Sequence, residues 1–289
     1  MIVLAIARLT LRETSRRKLL LAVAILTVVV AILSGWAFHK LLSLPCGPDY
    51  NPQPCSVATD KVIAATLLIL LMFMFSFVLA LGAAFIAAPS IINEVESGVM
   101  LAMLPRPLRR SEVVLGKWLG LAALLAAFAG LSCGLEFVIM KIAVDYVPPH
   151  PLLAIVFVVV EALVVLTLAL AASTRIPAMT GGIVVVVLFG MAWMAGIAGA
   201  VGAAFHSPAI QNIGTVASLI FPTDGLWRAA IYALEPAATI IAQAQGGRAA
   251  SGNPFFVTSG PAGAYIGWTI AWIMAVLGVA IWSFNRREL

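Results

Sequence analysis

The sequence predicts an all-α, polytopic membrane protein with six transmembrane helices. Composition is the first reason: 63% of the 289 residues are apolar and 10% are charged, where a soluble globular chain carries about 25% charged residues. Mean hydropathy is +1.10. The second reason is a set of six apolar runs, at 19–41, 62–88, 118–144, 151–172, 179–204 and 262–284. Each reaches the roughly 20 residues that a helix needs to cross a bilayer core. The third is charge asymmetry. With the N-terminus inside, twelve of the seventeen Lys and Arg fall on one side, and an excess of basic residues marks the cytoplasmic side. The net charge of +5 then reports orientation rather than a nucleic-acid surface. The same counts exclude a soluble enzyme, a disordered binder and a secreted scaffold, since three cysteines cannot staple a chain of this length.

Residues 1–18 read as an amphipathic interfacial helix. At about 100° per residue, Arg8, Arg12 and Arg16 form one cationic stripe, Ile2, Ile6 and Leu9 share another direction, and Val3, Ala7 and Leu11 extend the apolar arc. Such a helix rests on the inner leaflet with its arginines toward lipid phosphates; the alternative is that the arginines serve orientation alone. The run at 19–41 follows this basic segment as a signal peptide would. It is too long for one and lacks a clear small-residue cleavage site, so it reads as a retained span. In the first outer loop, Cys46 and Cys55 favour a disulfide that pins a Pro-rich segment in an oxidising exterior. A Cys and His site for copper or zinc is the alternative, without a recognised spacing.

Between the second and third spans, residues 89–117 carry the most information. Asn93 is a candidate cap with Glu96 three residues on, Glu94 and Glu96 sit at the positive end of a short helix, and Arg106, Arg109 and Arg110 follow its negative end. Pro105 and Pro107 stop it. A helix too short to span, apolar on one side and acidic at its entry, suits docking into a groove of another protein. A second helix starts near Ser111 and runs into the third span.

Two carboxylates lie inside spans, Glu136 in the third and Glu161 in the fourth. If these helices are antiparallel neighbours, both acids lie roughly 14 Å from the outer ends. Intramembrane acids suggest a proton relay, a cation site or a polar contact to substrate. The structural alternative is a hydrogen bond to Ser, Thr or a backbone carbonyl, or neutralisation by Lys141. In the fifth span Ala195, Gly196, Gly199 and Gly202 form a small-residue face suited to a subunit interface or a pathway wall. Met72 and Met74 beside Phe73 and Phe75 admit a soft-metal or drug surface, though such residues are ordinary in spans. The segment 205–261 is too broken to cross. It reads as one or two short helices, among them 224–234 with Asp224 as cap, lying on the outer surface or dipping in as a re-entrant lid. Such a lid would gate export or receive an external partner.

The chain resembles the ABC-2 type permeases of ABC transporters. The likeness rests on Glu94, Glu96, Gly98, Leu101, Leu104, Pro105, Arg109, Arg110, Leu115, Gly116 and Lys117 in that order after the second span. It extends to the basic N-terminal helix and to the C-terminal Phe-Asn-Arg-Arg-Glu-Leu. The segment Phe221-Pro222-Thr223-Asp224 through Arg228 is similar to the Asn-Pro-Thr-Asp region of permeases linked to copper-enzyme maturation in nitrous-oxide reduction. One departure is Gly98-Val99-Met100, where many members have Gly-Thr-Leu. The resemblance implies a six-span, non-catalytic exporter subunit paired with a second copy and with two cytoplasmic ATPase subunits. ATP and Mg would sit on the partner, with no cofactor on this chain. The residues from Glu94 to Arg110 would form the coupling element, and both termini would lie in the cytoplasm of a prokaryote. Substrates consistent with this range over a hydrophobic drug or lipid, a sodium ion, and a sulfur or copper species.

The residues argue separately that the chain is no ATPase: Gly116-Lys117 is followed by Trp118, and no Gly-x-x-x-x-Gly-Lys-Ser/Thr occurs. His-Glu-x-x-His is absent too. One Gly-x-Ser-x-Gly match, from Gly130 to Gly134, lies within the third span and reads as helix packing rather than a nucleophile turn. Two further readings remain open, a gradient-driven carrier using Glu136 and Glu161, and a membrane assembly factor that transports nothing.

Overall fold

The computed structural model describes residues 2–15, 18–42, 57–96, 109–236, 255, 257 and 259–287, with backbone alone at 15, 18–20, 22–23, 41–42 and 57–60. Ten described helices follow one another: α1 Ile2–Ser15, α2 Lys18–Leu42, α3 Val57–Ala87, α4 Pro89–Glu96, α5 Arg110–Val144, α6 Pro151–Ala172, α7 Ala178–Ala204, α8 Pro208–Ile220, α9 Thr223–Leu234 and α10 Gly263–Asn285. No strand occurs among the described residues. Five stretches there are long and apolar enough to cross a membrane: Lys61–Glu96, in which α3 and α4 run together, and α5, α6, α7 and α10. The apolar part of α2 with described side chains, Ala24–Lys40, is shorter. Five crossings are thus supported by length and composition, against the six expected.

Local chemistry explains the helix starts. Pro89, Pro151 and Pro208 each occupy a first helical position, where a missing N–H costs nothing and the fixed φ is already helical. α5 begins at Arg110 because the Glu112 carboxylate accepts the Arg109 N–H at 3.0 Å. It ends at Asp145, which takes a left-handed φ of 52°, a conformation Asp tolerates better than most residues. Lys141 pairs with Asp145 at this same end, so it does not reach either intramembrane acid, contrary to the suggestion from sequence.

α6 is the central element. Val158, Ala162, Val164, Val165, Leu166, Ala169 and Leu170 are all at most 2% exposed, and α3, α5, α9 and α10 pack around it. Side-chain hydrogen bonds add ties between these helices: Trp118 Nε1 of α5 donates to Thr167 Oγ1 of α6 at 2.9 Å.

α1 does not lie on the leaflet by itself. Val3, Ile6, Ala7 and Thr10 seat it on Gly116 and Gly120 of α5. A Cβ at Gly120 would fall 2.6 Å from the Ala7 carbonyl oxygen, and one at Gly116 2.7 Å from Ile6 Cβ. The four-residue spacing of small residues lets the two helices approach closely. Part of the apolar arc assigned to lipid, Val3, Ile6 and Ala7, is therefore spent on α5.

The segment after α7 doubles back twice. His206, at φ 54°, turns the chain from α7 into α8, which packs back along α7 with Gly199 against Gly214. A turn at Phe221 and Pro222 then sends α9 into the bundle, where Leu226, Trp227, Ala229, Ala230, Ile231, Ala233 and Leu234 are at most 3% exposed. α9 packs chiefly against α6, with contacts to α7 and α3. Pro222 occupies its N-cap. Asp224 lies inside the first turn, a correction to its expected role as cap.

Candidate functional site

Two regions gather the polar residues. The first is at the end of the bundle where α4 and α5 meet. α4 follows α3 after a break at Ala88, and Ile91 and Ile92 are buried. Asn93 lies in the middle of α4 and is exposed, so it caps nothing. Lys117, 5% exposed, holds α4 from α5: its Nζ pairs with Glu94 Oε1 at 2.5 Å and donates to the Ser90 carbonyl. A buried ammonium is tolerated only when charge and hydrogen bonding compensate it, and Glu94 with Ser90 supplies both. Glu94 is therefore engaged within the chain, whereas Glu96 is exposed. Gly98, Leu101, Leu104 and Pro105 lie outside the described residues, as do Cys46 and Cys55.

Arg109 is exposed, but Arg110 is committed elsewhere. Its Nη1 donates to the carbonyls of Phe284, Asn285 and Arg287 at 3.2, 3.1 and 2.6 Å. These are the orphan acceptors at the C-terminal end of α10, where a cation is favoured. Arg175 donates to Ser283 Oγ and to its carbonyl at 3.1 Å each, and Arg287 donates to the Thr174 carbonyl at 2.6 Å. The basic residues read from sequence as orientation markers thus also clamp one end of the bundle.

The second region lies in the middle. Glu136 and Glu161 do not meet. Ser34 of α2 donates to Glu136 Oε2 at 2.9 Å, and Ser76 of α3 donates to Glu161 Oε2 at 2.7 Å. Each acid ties its helix to a neighbour, which is the structural alternative stated above. Glu136 is fully buried, and its Oε1 has no hydrogen-bond partner among the described residues.

The charged neighbour of Glu161 is Asp224 of α9, within electrostatic reach. Asp224 Oδ2 accepts from Arg228 Nε at 2.8 Å, and Arg228 Nη2 donates to the Gly196 carbonyl at 2.7 Å. Gly196 has no alternative here, since a Cβ would run into the Asp224 carboxyl. Beside this pair Phe73 gathers Trp193, Trp227 and Phe255, with ring centroids 5.2, 5.5 and 5.4 Å away. Gly196 and Gly199 thus serve contacts of α7 with α9 and α8 inside one chain, where sequence pointed to a subunit interface or a pathway wall.

The place of this cluster within the bundle follows from two sets of bonds. The C-terminal end of α9 is held at the α5–α6 loop, where His150 N donates to the Ala233 carbonyl and the Tyr146 hydroxyl to the Leu234 carbonyl, each at 3.1 Å. Thr223, eleven residues along, is then roughly 16 Å from that loop. Independently, Tyr265, Trp268 and Trp272 of α10 donate to the carbonyls of Ser218, Leu219 and Ile220 at 3.3, 2.9 and 2.8 Å. Trp272 is nine residues into α10, or roughly 14 Å. These three aromatic donors satisfy the last carbonyls of α8, which a bilayer interior would leave without water. α8 and α9 thus form a helical hairpin with Asp224 near its tip.

Sequence reasoning missed Lys117 as an anchor and the Asp224–Arg228 pair as a buried unit. The signal was present for the second, an acid and a base four residues apart on one helix. For Lys117 nothing local distinguished it from an orientation charge. Among the described residues no group of three or more His, Cys, Asp or Glu converges in a way that would hold a metal ion.

A search of curated proteins finds no match to the chain. A model of the ABC-2 family transporter proteins matches residues 4–289. The family's members are membrane components of ABC transporters, which implies an ABC ATPase as partner. With a match over nearly its whole length and several membrane-length apolar helices, the chain belongs to the ABC-2 family of transporter proteins.

Proposed function

We propose that the chain is the permease subunit of an ATP-driven exporter, with α2 as a sixth span and both termini in the cytoplasm of a prokaryote. Two copies would pair, and two ATPase subunits would bind ATP and Mg and drive the cycle. The observation that carries this reading is the Lys117 link. α4 is fastened to α5 through Glu94 and Ser90, while Asn93 and Glu96 remain exposed. A push on the exposed side of α4 therefore reaches α5 rigidly, and the basic end that Arg110 and Arg175 hold together supports placing this side toward the cytoplasm. The aromatic group around Phe73 favours a hydrophobic or amphipathic cargo. The likeness of the Phe221 to Arg228 segment keeps a link to metalloenzyme maturation within the proposal.

The test is Glu96→Lys, which leaves the Glu94 to Lys117 pair in place. Copurification of the ATPase and ATP-dependent transport should both be lost at normal expression. Unchanged copurification and transport overturn the coupling assignment. Reversal of Glu94 is a poorer test, because it breaks a contact internal to the fold.

A gradient-driven carrier is the second reading, for which the sequence offers Glu136 and Glu161 as the ion site. What favours it is that Glu161 lies within electrostatic reach of Asp224, whose carboxylate is itself paired with Arg228. Transport that persists with an inactive ATPase and is lost in Glu161→Gln supports it. A non-transporting assembly factor predicts neither behaviour.

A further inference from the structure

The buried cluster around Asp224 is incomplete in two respects. The first is charge. Glu161 and Asp224 are both buried and within electrostatic reach of each other. Arg228 pairs with Asp224, while Glu161 receives the Ser76 hydroxyl, so among the described residues the two acids face one base. Tyr265 of α10, within reach of both acids, adds a hydroxyl and no positive charge. An uncompensated charge in an apolar interior is costly. The second respect is hydrogen bonding. Thr223 is 1% exposed, and its Oγ1 has no partner among the described residues, where buried hydroxyls are normally bonded. Thr223 lies four residues before Trp227 on one stripe of α9 and next to Asp224. Its hydroxyl therefore shares a side of the helix with the ring and the acid.

Aromatic rings border these groups on three helices. Phe73 is three residues from Ser76 on α3, Trp193 three from Gly196 on α7, and Trp227 three from Asp224 on α9. Each helix thus brings a ring within one turn of its polar contact, and the three rings meet at Phe73. A surplus carboxylate, an unbonded hydroxyl and a ring group side by side suit a protonated amine: the acid takes the charge, the hydroxyl accepts an N–H, and the rings attract the cation and hold its apolar body. A proton on Glu161 would balance the charge but leave Thr223 unbonded and the rings unused. A hard metal ion needs oxygen ligands, which rings do not supply.

We infer that the cargo is an amphipathic ammonium cation, bound by Glu161 and Thr223 with Phe73, Trp193 and Trp227 around its apolar part and the Asp224–Arg228 pair as a fixed wall. This rests on the permease reading and narrows its cargo to a cation.

The experiment measures binding of dansylcadaverine, a fluorescent primary amine, and of its uncharged N-acetyl form to the full chain in phosphatidylcholine nanodiscs, by fluorescence anisotropy with empty nanodiscs subtracted. Wild type should prefer the amine about tenfold or more, the scale of one hydrogen bond to a charged group. The preference should survive about 0.5 M salt, since buried charges are screened far less than exposed ones. Glu161→Gln should bring the two forms within about twofold of each other, and Thr223→Val should weaken the amine about threefold to tenfold while leaving the acetylated form unchanged. Competition needs no variant to fold: dodecylamine should displace the probe, and dodecanol at equal concentration should not. A wild type without preference, a preference erased by salt, displacement by both competitors alike, or a preference unchanged in both variants overturns the proposal. The assay contains no ATPase, so such a failure leaves the exporter reading standing. A preference that follows the expected pattern, in a chain that with its ATPase carries no amine under ATP, supports the site and counts against the exporter reading.

Discussion

The Asp224–Arg228 pair offers the sharpest test of the central cluster. In Arg228→Leu the Asp224 carboxylate loses its guanidinium, and the Gly196 carbonyl loses its donor. The side chains of Asp224 and Arg228 are 9% and 28% exposed, so the acid is nearly shut off from water while the base retains some access. Removing one partner of a buried ion pair costs about 3–5 kcal/mol, and the partial access of Arg228 argues for the lower end. For a chain of this size about 3 kcal/mol corresponds to a melting shift of roughly 6–12 °C, read by a thermal scan of the purified protein in detergent. The informative comparison is Asp224→Asn/Arg228→Leu, which removes the stranded charge and should recover at least half of the loss. Arg228→Lys should fall between, because an ammonium cannot reach Oδ2 and the Gly196 carbonyl through separate nitrogens. A shift under about 2 °C in Arg228→Leu, or a double variant no more stable than the single one, would refute a buried and mutually dependent pair.

Three further outcomes follow from the geometry. Gly120→Val should force α1 off α5, since even a Cβ comes within 2.6 Å of the Ala7 carbonyl oxygen; overpacking costs about 1–3 kcal/mol, and limited trypsin should cut at Arg8 and Arg12 faster than in wild type. Trp272→Phe keeps a ring but deprives the Ile220 carbonyl of its donor, for about 1–3 kcal/mol if the hairpin tip lies in the apolar layer; a neutral effect would place that tip in water. Tyr146 lies in the α5–α6 loop, where burial and then the nearby Glu235 push its hydroxyl up to about 12 from the usual 10.0. A raised value in the folded protein means that stability is intact below pH 10 and is lost as pH rises toward 12, and Tyr146→Phe should flatten that part of the stability curve.

Several parts of the fold could be read from residue order because they are local. Apolar runs of membrane length and the sidedness of basic residues add up along the chain without reference to any neighbour, so α5, α6, α7 and α10 stand out by composition. The limits of that reasoning show at Asp224. A helix beginning near Asp224 was legible from its turn residues, yet Pro222 took the cap and left the acid for another use. Arg110 and Arg175 carried a visible charge sign, but a charge count has no means of saying that they bind the far end of α10.

What the sequence by itself determined is the solvent of each segment: which stretches are helical and apolar, where polar groups must find partners, and that a short acidic helix precedes the third long apolar run. Only the tertiary structure decided who those partners are. Glu136 and Glu161, alike in residue type, part company because Ser34 and Ser76 arrive from different helices. Glu94 turns inward because Lys117, twenty-three residues on, is buried beside it. The reason is physical. A polar group within an apolar layer must be paired at hydrogen-bond distance, and pairing across helices depends on depth and rotation to within a few ångströms, which the order of residues along one helix does not contain.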